Sequence, residues 1–210
     1  TMAFTALEQH LRSQYSVLPR GELASAIRGA LKLGLVTRRG DAIALTLVGE
    51  SAAHILPDLA TLAAIHHQVT SRRGATIDQV APVVGAVLRW LLATDPIVSL
   101  LLAALHDLGV GAHSMHTLVK AVLARDRTFG LVAMFLPEAL ETIVDRHGNL
   151  LWNLITPAHF RGPTRYQYKS IMRQAGLIVP HPLGQSPPSL YDPARDIWEL
   201  LDRAAFIRPI

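Results

Sequence analysis

Residues 19–49, PRGELASAIRGALKLGLVTRRGDAIALTLVG, decide the fold. Leu23, Ile27, Ala30 and Leu31 fall at helical spacing and make one apolar face, while Ser25, Arg28 and Lys32 share another. Gly34 stands where a helix needs a left-handed stop. Leu35 and Val36 begin an extended segment that Arg38-Arg39-Gly40-Asp41 can turn. Ile43, Leu45 and Leu47 then alternate with Ala44 and Thr46, the period of a half-buried strand.

The order helix, glycine stop, strand, basic tip and return strand resembles the second half of a winged helix-turn-helix domain. The pieces are Ala24–Leu33, Gly34-Leu35-Val36, Arg38–Asp41, and Leu45-Thr46 with Gly49, and the likeness covers roughly residues 5–55. It implies a DNA-binding unit in which Ser25, Arg28 and Lys32 face the major groove. Arg38 and Arg39 would then reach a flanking groove or the backbone.

On the N-terminal side, Thr5 with Glu8 makes a capping box for a helix over 5–14. On the other side, Thr46 is placed to cap a helix carrying Ala52, Ile55, Leu59 and Leu62, which Pro57 should kink or divide. Ser71-Arg72-Arg73-Gly74 is the expected linker. The middle, 75–150, reads as a helical bundle without strands. Its start signals are Thr76 with Gln79, Asp95-Pro96, Ser114 and Pro137; its stops are Gly109, Gly111 and His147-Gly148-Asn149.

The last third, 151–210, repeats the theme of the first. Thr164 with Gln167 caps a helix whose apolar face is Tyr168, Ile171, Met172 and Ala175. Gly176 stops it, and Leu177-Ile178-Val179 leaves as a strand, so RQAGLIVP answers LKLGLVTR. A proline-rich tip over 181–188 takes the place of a wing. Asp192-Pro193 is expected to start a terminal helix holding Ile197, Leu200, Leu201 and Ala204. This stretch resembles a second, degenerate winged helix. The expected fold is therefore mostly α, with two winged-helix-like units (1–74 and 151–210) flanking a central helical bundle.

Charge narrows the partners. The 210 residues carry 20 Lys and Arg against 16 Asp and Glu, a formal charge of +4. Between Arg146 and Tyr191 there is no acid at all, yet the span holds Arg161, Arg165, Lys169 and Arg173, with Tyr166 among them. Arg165, Lys169 and Arg173 recur every fourth residue, so they stack along one side of a helix. Such a face suits a duplex backbone, whose phosphates pair with guanidinium and ammonium groups. The expected partner is double-stranded DNA, with a homodimer or a protein partner as the second expectation, since one winged unit buries little surface on a duplex.

Other chemistries find less support. With no cysteine, thiolate metal sites and disulfides are excluded. No phosphate loop, nucleophile elbow or paired-carboxylate motif appears, so no catalytic residue, metal or cofactor is expected. Leu105-His106-Asp107-Leu108-Gly109 resembles the core of HD-type metal-dependent phosphohydrolases. That family would need a further His, such as His66 or His67, and a further Asp, such as Asp126 or Asp145. Val110 stands where the family's lysine commonly follows. The competing class, ahead of the phosphohydrolase, is a protein–protein adaptor built from tandem winged helices. The most apolar run, 86–105, is broken by Arg89, Asp95 and Pro96 and reads as buried helix rather than a membrane span; with no N-terminal signal pattern, a cytoplasmic protein is expected.

Overall fold

A computed structural model describes residues 2, 3, 6, 9, 13, 27–31, 33–72, 74–161, 167–179 and 197–200. It is mostly helical. The chain divides into two compact units, Thr1–Ala64 and Ile65–Ile210. Residues 75–150 and 151–210, expected as separate regions, thus fall within one unit, and the boundary falls between Ala64 and Ile65, ahead of the expected linker at 71–74.

The first unit is organised by a three-stranded antiparallel sheet. Its strands are β1 (Met2–Ala3), β2 (Val36–Arg39) and β3 (Ala42–Leu45), in the order β1-β3-β2. Residues 27–31 are helical, and this helix ends as the sequence predicts. Gly34 takes φ 67°, its N–H donates to Leu31 O at 3.1 Å, and the Leu35 N–H donates to Ala30 O at 2.9 Å. These two bonds make a Schellman stop, in which the left-handed residue lets the chain fold back on its last carbonyls. Strand β2 follows directly, Gly40 and Asp41 form the turn, and β3 returns with Arg39 opposite Ala42 and Val36 opposite Leu45.

Thr46 then caps α1 (Leu47–Ile55) by accepting from the Gly49 N–H at 3.0 Å. Its hydroxyl also donates to Gly34 O, and its N–H donates to Leu35 O at 3.0 Å. One threonine therefore fastens the helix stop, the hairpin exit and the next helix together. Gly49 completes the joint: a Cβ there would lie 1.9 Å from Leu35 O. The expected break at Pro57 is present, since α1 stops at Ile55 and α2 (Leu59–Ser71) starts beyond it.

The second unit is a helical core closed by a small sheet. Its helices are α3 (Ile77–Val80), α4 (Pro82–Ala93), α5 (Pro96–Leu108), α6 (Met115–Arg125), α7 (Arg127–Met134), α8 (Pro137–Ile143) and α9 (Lys169–Gln174). The predicted caps hold: Thr76 and Gln79 form a reciprocal capping box, the Asp95 carboxylate accepts from the Ile97 and Val98 N–H groups, and Ser114 accepts from that of Thr117. The core is aliphatic, with Leu92, Leu101, Leu105, Leu118, Met134 and Met172 fully enclosed. Helices α4 and α5 meet at 97°, and among the described residues no single helix is long and apolar enough to cross a membrane.

Two expectations fail here. The middle was expected to lack strands, yet β4 (Ala112–Ser114) pairs antiparallel with β5 (Ile197–Glu199). Residues 197–200 were expected on a terminal helix, yet 197–199 are that strand and Leu200 bridges Ile178. The cause is non-local: β5 gains backbone partners on both sides, from 112–114 and from 178–179, where the Val179 N–H donates to Glu199 O. Helical spacing of Ile197 and Leu200 could not report that. Gly176 nevertheless repeats Gly34, with φ 66° and the same pair of bonds, Gly176 N–H to Arg173 O and Leu177 N–H to Met172 O. In both units the last strand therefore lies between the first strand and the segment that leaves the glycine stop.

A polar contact anchors the start of helix α9. The Tyr168 hydroxyl donates to Asp95 Oδ2 at 2.9 Å, deep in the core. Burial, then the charge of Asp95, pushes the phenol well above its usual range, so it stays a donor. Tyr168→Phe would leave one oxygen of a buried carboxylate short of a partner. A loss of about 1–3 kcal/mol is expected in chemical denaturation; a variant as stable as the parent would show that the bond contributes nothing net.

Candidate nucleic-acid interface

In the first unit Arg38 and Arg39 end β2 just before the two-residue Gly40-Asp41 turn; both are exposed, and as neighbours on a strand they point to opposite faces of the hairpin. Arg38 is partly engaged: Nε donates to Gly40 O at 2.7 Å and Nη2 lies 3.4 Å from Asp41 Oδ1. The Asp41 side chain is 91% exposed, so water screens this pair and a phosphate can compete with it. Arg28 is exposed on the helix that ends at Gly34. Ser25 and Lys32 lie outside the described residues. The joint at Thr46 fixes the helix end against the hairpin, so the two sources of guanidinium share one rigid frame.

The second unit departs from expectation. Lys169, expected on an exposed cationic stripe, is only 6% exposed, and its ammonium lies 5.1 Å from the centre of the Trp198 ring. Lys169 precedes the buried Met172 by three residues and so shares its side of the helix. The indole face substitutes for part of the lost hydration. Arg173 is half-buried, and its Nε is buried with no hydrogen-bond partner among the described residues. Arg161 is half-buried, with its N–H donating to Met134 O at 3.0 Å beside the bridge joining Phe135 to Phe160. Arg165 and Tyr166 lie outside the described residues. Of the three residues spaced at 165, 169 and 173, Lys169 is thus turned inward and Arg173 is half-buried, which corrects their expected place on an exposed cationic face.

The His106-Asp107 pair is also drawn into structure. Arg125 grips the Asp107 carboxylate through two bonds, Nη2 to Oδ1 at 2.9 Å and Nε to Oδ2. The guanidinium holds that carboxyl below its usual range. Among the described residues no group of three or more His, Asp or Glu is placed to hold a metal ion.

A feature invisible in the sequence lies where α6 meets α7. Lys120, Leu123, Ala124 and Arg127 line one side of an open cleft of about 360 Å³, and Asn149, Leu150 and Trp152 line the other. The second wall is a tight turn bridged by Val144 and Leu150. The Asp145 carboxylate organises it, accepting at 2.8 Å from the N–H groups of both His147 and Asn149. These bonds, that of Asn149 first, hold its carboxyl below the usual range. Arg127 Nη2 donates to Gly148 O and pins the turn against α7. The walls come from two separate segments, 120–127 and 149–152, so no local pattern announces the cleft.

Comparison with known proteins finds no match for this chain: no protein-family model, no curated protein and no solved structure is significantly similar to it.

Proposed function

We propose that this protein binds double-stranded DNA without catalysing a reaction on it, and that its first unit, a winged helix-turn-helix, makes the contact. The observation that carries the reading is the short hairpin with Arg38 and Arg39 just before its turn, locked through Thr46 to the end of the helix bearing Arg28. A duplex offers phosphates on both sides of each groove, and a helix with a rigidly attached basic hairpin meets two such rows at once. The strand order β1-β3-β2 and the glycine stop support the same reading. Residues Ser25, Arg28, Lys32, Arg38 and Arg39 are the proposed contacts; Lys169, being buried, is not among them.

The test is a salt titration of duplex binding with Arg28, Arg38 and Arg39 changed together to alanine. If three phosphate contacts are lost, the slope of log K against log salt should shrink by about 2–3. Identical slopes for parent and variant would refute the assignment. A second reading, a protein–protein adaptor, is favoured by the exposure of Leu45 and Leu47 beside the hairpin exit, Leu47 being 82% exposed. It predicts a partner contact that Leu47→Ser abolishes and salt barely affects.

A further inference from the structure

We propose that the cleft between α6, α7 and the 144–150 turn binds a nucleoside monophosphate, independently of any contact with duplex DNA. Two cations converge on it. The Lys120 ammonium sits 5.5 Å from the centre of the Trp152 ring, and no carboxylate pairs with it among the described residues. Arg127 uses one Nη2 bond on Gly148 O and has further N–H groups to offer an anion. A phosphate monoester carries close to two negative charges and three acceptor oxygens, which suits one ammonium and one guanidinium.

The rest of the lining is built for a flat, weakly polar body. Trp152 supplies an indole surface, held in orientation by the edge-on His116 ring at 4.6 Å, and Leu123 and Leu150 extend the apolar floor. The Asn149 amide stands at the rim; its Nδ2 donates to Asp145 Oδ2 at 3.2 Å, while Oδ1 accepts no bond among the described residues. An aromatic heterocycle stacking on the indole can give its exocyclic N–H to that oxygen. The volume, about 360 Å³, is at the small end for ligand sites and fits one nucleotide rather than a chain. Carboxylates argue against a polyanion crossing the cleft: Asp126 adjoins Arg127, and Asp145 holds Asn149.

Calorimetric titration of the full chain with adenosine monophosphate, ribose 5-phosphate, inorganic phosphate and a short single-stranded oligonucleotide tests the proposal. Adenosine monophosphate should bind saturably, and ribose 5-phosphate and phosphate at least about tenfold more weakly, for want of stacking. Lys120→Gln, an exposed change whose folding a melting curve checks, should weaken adenosine monophosphate by about tenfold or more, since a charge-assisted bond is lost. Trp152→Leu should bring adenosine monophosphate and ribose 5-phosphate to equal affinity. Any one of three results overturns the proposal: no binding of adenosine monophosphate at millimolar concentration, equal binding of ribose 5-phosphate by the parent, or unchanged affinity in Lys120→Gln. Tighter binding of the oligonucleotide than of the monophosphate also overturns it, making the cleft part of a nucleic-acid track. Duplex binding by the first unit can fail without affecting any of these outcomes.

Discussion

Replacing Arg89 by leucine is expected to destabilise the second unit by about 3–5 kcal/mol, the usual cost of removing one member of a buried ion pair. Asp78 is the charge at risk: its side chain is 2% exposed and its carboxylate is met by Arg89 Nη1. The same Nη1 donates to Ala175 O at 2.8 Å, one residue before the Gly176 stop. The guanidinium thus ties α3, α4 and the end of α9 in one contact. A second link runs in parallel, from the Ile77 N–H to Gln174 Oε1 at 3.0 Å. Urea denaturation followed by circular dichroism reads the loss. Changing Asp78 to alanine as well should restore part of the stability, because the buried carboxylate is then removed together with its cation. A single variant within about 1 kcal/mol of the parent would show that Asp78 finds water or another donor and that the pair is not the fastener described.

The second large effect is expected in the first unit. Gly49→Ala places a methyl group 1.9 Å from Leu35 O and 2.8 Å from Leu35 C, both backbone atoms that no rotamer change can move aside. Overpacking costs about 1–3 kcal/mol where side chains can yield, and a backbone clash belongs at or above that ceiling. Helix α1 must then lift off the Gly34–Leu35 corner, breaking the Thr46 joint and loosening the hairpin from the helix that carries Arg28. Gly29→Ala is the matched control: among the described residues nothing lies within 4 Å of a Cβ there, and the position is helical. It should stabilise by up to about 1 kcal/mol through helix propensity alone. Melting curves that rank the two variants in the opposite order would refute this account of why glycine stands at 49.

These two sites divide the two units by how each is held together. The first unit depends on backbone proximity at one corner, and the second on polar fasteners at the margin of an aliphatic core. In the proposed DNA complex the corner matters most, because it sets the distance between Arg28 and the hairpin arginines. A loosened Gly49 variant should therefore lose duplex affinity although no phosphate contact has been removed.

The sequence alone determined the starts and stops. Gly34 and Gly176 end helices, Thr46, Thr76, Asp95 and Ser114 begin them, and Arg38–Asp41 turn a hairpin, because each signal satisfies backbone groups within a few residues of itself. What only the tertiary structure decided involves partners far apart in the chain. Residues 197–199 became a strand because 112–114 and 178–179 offered hydrogen bonds on both edges. Lys169 turned inward because Trp198 supplied a ring face for its charge, and the cleft exists because Gly148 O reaches Arg127. Spacing in a sequence reports which residues share a face; which face is covered depends on what the rest of the chain brings to it.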